Sequence, residues 1–305
     1  MSTTTRTVTW SAIGTNVRSA STIEDVLSLA KLDFEVSKQP LFTTVGENRI
    51  LIPDQKVTVI DDQLKVLGIV SSKYQICQNR DAFDFVNCLS KEVTFVKAGM
   101  TNSGMVYIIA ELPEVKILGD SFKPHVIFSN GFNGSYAVRA AICPLRIICQ
   151  NQFALSFKNT NNSVTIRHTS TMNSRMAAAK QVLTTAAEYM DNMAEVAKRW
   201  AKTGFTQDDL ETVLKQLFPE KENMSQCQVE RREEQIKAVL AAYNSKDNQN
   251  FKGSLWGAVN AMTDYITHAS PLRKTENIIE SKFMSVTFDP KLLSKFLELS
   301  LAKVA

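Results

Sequence analysis

Between Ser121 and Ala187 the chain has no aspartate and no glutamate. With 31 acidic residues among 305, an even spread would put roughly seven in a window of that size, so the gap is local. The same window carries Lys123, Arg139, Arg146, Lys158, Arg167, Arg175 and Lys180, together with His125 and His168, two of the three histidines. Such a segment repels cations and attracts polyanions. It also excludes a local nucleophile–histidine–acid relay, because no carboxylate lies near in sequence to orient a base.

Other absences narrow the field. The five cysteines (Cys77, Cys88, Cys143, Cys149, Cys227) are odd in number and form no CxxC or Cys/His cluster, which argues against a disulfide framework or a structural zinc. No run approaches the roughly eighteen apolar residues of a membrane span, and "MSTTTRTVTW" has no apolar core of a signal peptide. A globular cytoplasmic chain without a membrane partner is the expectation. GxxxxGK[ST] is missing, and "GFNGS" lacks the spacing of a dinucleotide fingerprint, so no cofactor is expected. The acid pairs Asp61-Asp62, Asp208-Asp209 and Glu233-Glu234 read as solvated surface rather than as a metal site.

What is present divides near residue 170. "STIEDVLSLAKL" reads as a short helix with a Ser21/Glu24 capping box. "FEVSKQPLF", "RILIPDQKVTVID" and "KVLGIVSSKYQIC" follow as a meander of strands, with Pro40 and Pro53 at edges or bulges. Asn79 caps a helix in "RDAFDFVNCLS"; "VTFVKAG" and "GMVYIIAEL" flank a turn in "MTNSG", and "HVIFSN" and "SYAVRAAI" flank "GFNG". From Met172 the pattern is helical. Ala179, Leu183, Ala186, Met190, Met193, Ala197 and Trp200 form one stripe, read as intramolecular core or, alternatively, as the seam of a homo-oligomer. Further helices start at Thr206 with Asp209 as its N3 acid, in "QVERREEQIKAVLAAY", in "GSLWGAVNAMTDYITH" and at Asp289-Pro290. The fold class expected is α+β: residues 1–170 a largely antiparallel sheet with flanking helices, and 171–305 an α-helical part. Short turns between strands 34 to 77 leave no room for the crossovers of a parallel sheet.

The acid-free window suits a single-stranded nucleic acid. Arg139, Arg146, Arg167, His168 and Lys158 are candidate phosphate donors; Asn133 and Asn151 add neutral hydrogen bonds; Phe132 and Tyr136 are candidate stacking platforms. Each has a plainer reading. Phe132 fits a core, Asn133-Gly134 a turn, and Arg146 a tie to a carboxylate of the helical half such as Asp264 or Glu188.

Six blocks carry a resemblance: "LGIVSSKYQICQNRDAFDF", "AGMTNSGMVYIIAEL", "NGFNGSYAVRAAICPLRIICQNQFALSF", "IRHTSTMNSRMAAA", "LWGAVNAMTDYITH" and Trp10 with "IGTNV". In order and spacing they resemble the phage/plasmid-like family of domain of unknown function 932. The resemblance implies a mobile-element origin and supplies no catalytic residue. Its R-x-x-C-x-N and R-H-T blocks fall at Arg146, Cys149, Asn151, Arg167 and His168, while Ile148 and Gln152 depart from its usual residues. The expected function is protection or annealing of single-stranded nucleic acid during replication, recombination or transfer. Two alternatives stay open: an enzyme with a dispersed site acting on a phosphorylated substrate or nucleic acid, and a counter-defence protein that binds a host protein.

Overall fold

The computed structural model describes residues 13–84, 93–146, 151–152, 163–172, 186–270, 282, 286–287 and 290–305. It opens with a two-residue strand β1 (Thr15–Asn16) and helix α1 (Ile23–Leu29). The helix is capped one residue later than the sequence suggested: Thr22 accepts from the Asp25 amide and Asp25 accepts from the Thr22 amide. Ser21/Glu24 and Thr22/Asp25 both satisfy the capping pattern, and the second pair turns Ile23, Val26 and Leu27 inward.

A three-stranded meander follows, β2 (Val36–Val45), β3 (Asn48–Ile60) and β4 (Lys65–Ser71), in the order β2-β3-β4. Pro40 marks an irregularity as expected. The register runs Pro40↔Lys56 and then Phe42↔Leu51, so Leu41 faces the extra residues Ile52 to Gln55, with Asp54 at positive φ. The strand pair is thereby broken into a part inside the small sheet and a two-stranded arm beyond it.

After helix α2 (Asn79–Asp84) comes the main sheet: β5 (Thr94–Met100), β6 (Met105–Glu111), β7 (Val115–Ile117), β8 (Asp120–Gly131), β9 (Val138–Arg146), β10 (Asn151–Gln152) and β11 (Ser163–Ile166). Its order is β1-β5-β6-β8-β9, with β10 and β11 both on the outer side of β9 and β7 on β8. Every pairing is antiparallel. The hairpin from β7 to β8 turns on Leu118-Gly119, both at positive φ. That left-handed pair fits a tight hairpin turn.

The second half is helical: α3 (Ala186–Lys202), α4 (Gln207–Leu217), α5 (Gln226–Tyr243), α6 (Leu255–Asp264) and α7 (Lys291–Val304). Thr206 and Asp209 form the expected capping box of α4. Met190, Met193, Ala197 and Trp200 of the predicted stripe are buried in the chain's own core, so over α3 the stripe is intramolecular; Ala179 and Leu183 lie outside the described residues. The helical core continues into the sheet through Ile117, Phe122 and Ile142, with the Phe122 and Trp256 rings 6.5 Å apart. Antiparallel sheet first and helices second make this an α+β protein.

Candidate nucleic-acid interface

The strands among the window's described residues are β8, which opens on Asp120, and β9, β10 and β11; β9 pairs with β8 on one side and with β10 and β11 on the other. Most of β8 and β9 is buried; of the window's described basic residues Arg167 is exposed, and Lys123 and Arg139 are half-buried. Alternation along the strands sorts the side chains between two faces. Val106, Ile108, Val126, Phe128, Val138 and Ala140 pack toward α1 and α2. The opposite face carries Tyr107, Ile109, Ile127 and Cys143.

Arg139 belongs to that opposite face. It lies in register between Ser129 of β8 and Thr165 of β11, in a row that continues through Tyr107 to Gly99. Gly14 and Gly99 clear space for Tyr107: a Cβ at Gly14 would meet its hydroxyl at 2.7 Å, and one at Gly99 at 2.8 Å. Arg167 is exposed and follows β11 by one residue, so the chain brings it to the same edge as Arg139. Position 146 does not join them. It is seven residues from Arg139 along a register with no shift, which puts the two positions on opposite faces. An odd spacing along one strand was in the sequence and overrules a shared arginine face.

Three further candidates are structural. Phe132 is fully buried, 6.0 Å from the ring of Phe34, so it is core and offers no platform for a base. Asn133 folds the β8–β9 turn: its Oδ1 accepts from the Ser135 amide at 2.9 Å and its Nδ2 donates to the Ser103 carbonyl at 2.9 Å. His168 is buried, stacked on Tyr74 at 4.8 Å, with Nδ1 3.0 Å from the Gln75 carbonyl. Burial pushes its pKa below the usual histidine value, opposed by that hydrogen bond, so it is not the cationic donor expected beside Arg167. Tyr136 keeps a partly exposed ring, and its hydroxyl donates to Ser103 Oγ at 2.9 Å. Asn151 is paired by register with Arg146, and β10 runs beside α6, the helix that carries Asp264. Lys158 and Cys149 lie outside the described residues.

The sequence reading missed the acid that the sheet brings to the window. Glu111 of β6 faces His125 of β8 in register, with Oε1 3.5 Å from His125 Nε2 and 2.7 Å from Arg18 Nη2. His125, and with it Arg18, hold the Glu111 carboxyl down to about 2 against the burial that would raise it. The His125 Nδ1 lies 2.9 Å from the Lys123 carbonyl, so both ring nitrogens face partners and the imidazole reads as a fixed tie. Elsewhere, burial lowers the Lys282 ammonium to about 8, with the Ser270 carbonyl 3.3 Å away. No group of three or more His, Cys, Asp or Glu among the described residues is placed to hold a metal ion. No helix among them is long and apolar enough to cross a membrane.

A family model described as domain of unknown function (DUF932) matches residues 66–284, well over half of the chain. The chain belongs to the DUF932 family. No curated protein and no solved structure matches it. The DUF932 match takes in the whole acid-free window and the loop that holds His168, whereas β2 and β3, with the two-stranded arm, precede it.

Proposed function

We propose that this protein of a phage or plasmid binds single-stranded nucleic acid in the cytoplasm of its host, without catalysis, at the outer end of the main sheet. The observation that supports this reading is the collection of the acid-free window into adjacent strands. Arg139 pairs in register with Thr165, two residues before Arg167, and Glu111, which faces His125 of β8, is matched by Arg18. A sheet end with guanidinium groups and one partly exposed aromatic, Tyr136, tracks a flexible backbone and stacks an unpaired base. With Phe132 in the core, affinity rests on phosphate neutralisation more than on stacking.

The test is binding of a fluorescent single-stranded oligonucleotide over a salt series. Neutralisation makes log K fall linearly with log salt. A steep negative slope that becomes shallower in Arg167→Ala supports the reading. Absence of binding at low salt, or a flat dependence on salt, removes it.

A further inference from the structure

The two-stranded arm of β2 and β3 exposes apolar side chains on both of its faces. Phe42 and Leu51 are paired on one face, and Ile50 and Val45, whose partners are Thr43 and Asn48, share the other; all four are between 38% and 61% exposed. The arm ends in Gly46-Glu47, and its only charges between Leu41 and Pro53 are Glu47 and Arg49, the latter lying 3.9 Å from the centre of the Phe42 ring. Nearby, the outer face of the small sheet is apolar as well. Val57 pairs with Ile69 and Val59 with Val66, opposite in direction to the inward Thr58 and Ile60, and Ile69 and Val66 are 56% and 62% exposed.

We infer that the arm of one copy packs on the outer face of the small sheet of a second copy. Both surfaces belong to the same chain and neither carries an excess of one charge sign, so like copies do not repel, and the pair of surfaces is poor for a polyanion. Taking roughly 150–250 Å² for a large side chain, one face of the arm on the sheet face covers about 300–500 Å² of exposed apolar area. Interfaces are a little over half apolar, so the full contact reaches about 550–900 Å², the size of a weak, concentration-dependent association. A two-stranded ribbon is marginal alone in water, and being covered by a neighbour gives the arm the packing it lacks within its own chain. Because arm and face are different patches, the contact is head-to-tail and leaves the pair with one free arm and one free face for further copies.

Light scattering and sedimentation over about a hundredfold range of concentration test this directly. The wild type is expected to rise above its chain mass of 34.0 kDa toward the upper end of that range. Ile50→Lys/Leu51→Lys removes the arm surface, and Val66→Lys/Ile69→Lys removes the face. Each variant alone is expected at 34.0 kDa, and an equimolar mixture is expected to form a species of twice that mass, since one intact arm meets one intact face. Circular dichroism establishes that the variants are folded; Val45→Lys at the arm's tip replaces the double change should it unfold. A wild type that stays at the chain mass overturns the inference, whether it then holds a foreign protein or an oligonucleotide. Variants that keep the wild-type mass overturn it too, and a mixture that remains monomeric overturns the pairing of arm with face.

Discussion

β6 and β3 are antiparallel strands of the same chain with opposite surroundings. All seven residues of β6 are buried, from Met105 to Glu111, whereas only Thr58 and Ile60 of the thirteen in β3 are. The apolar run "MVYIIA" has no polar alternate because both faces of the main sheet are covered. In "NRILIPDQKVTVI" the apolar residues outnumber the buried positions, and the surplus is left in water. Apolar content alone therefore does not locate a core; the layers stacked on a strand decide whether it is spent on folding or on contact with another molecule.

Substitutions sharpen this comparison. Phe128→Ala, in β8 beside β6, is expected to cost about 3–5 kcal/mol, while Ile50→Ala in the arm stays within about 0.5 kcal/mol, both read from urea midpoints at a concentration where the chain is single. Equal costs would mean that the arm is packed within the single chain. Glu111→Gln is expected to cost about 1–3 kcal/mol near neutral pH, since Arg18 and His125 lose their acid. The folded Glu111 carboxyl lies at about 2, below its ordinary 4.5, so its stabilisation is complete above pH 4.5 and is lost as pH falls toward 2. Unfolding curves of the variant should lack that acid limb.

A smaller effect is expected at His168. Its folded pKa is lowered, so the unfolded chain takes up the proton first and stability declines as pH drops through about 6.5. His168→Asn should flatten the stability profile between about pH 5 and 7; an unchanged slope would assign that titration to another group. Smallest in stability is Arg167→Ala, within about 0.5 kcal/mol, with a salt slope for oligonucleotide binding reduced by about one.

The meander, the main hairpins, the helical second half and the α4 capping box were legible because each rests on residues close in sequence. Pro40 announced its bulge and Asn133-Gly134 its turn for the same reason. The β7–β8 hairpin was not legible, since Leu118 takes a left-handed conformation with no local signal beyond the following glycine. In the site, the basic window could be read as composition, but two facts needed the register. One is that positions 139 and 146 lie in a single unshifted strand, which turns their odd spacing into opposite faces; the other is that Glu111 stands against His125. His168 was hidden more deeply, because its partners Tyr74 and Gln75 lie over ninety residues away and only the fold brings them together. Phe132 shows the limit of composition: an aromatic among arginines and asparagines is core when its strand alternation points inward.

The β8–β9 turn is held by the small sheet at several points. Thr58 Oγ1 donates to the Phe132 carbonyl at 2.7 Å, Tyr74 donates to the Gly131 carbonyl at 2.8 Å, and Gly68 lies so near Asn133 that a Cβ there would sit 2.6 Å from its Cα. The clasp joins the small sheet that carries the arm to the turn that leads into β9 and Arg139. If packing of the arm and docking of a strand each move that turn, thermodynamic linkage makes each change the other's affinity by the same factor. Gly68→Ala, whose added methyl meets Asn133 on the inner side of β4 rather than the exposed Val66 and Ile69, is the place to uncouple them.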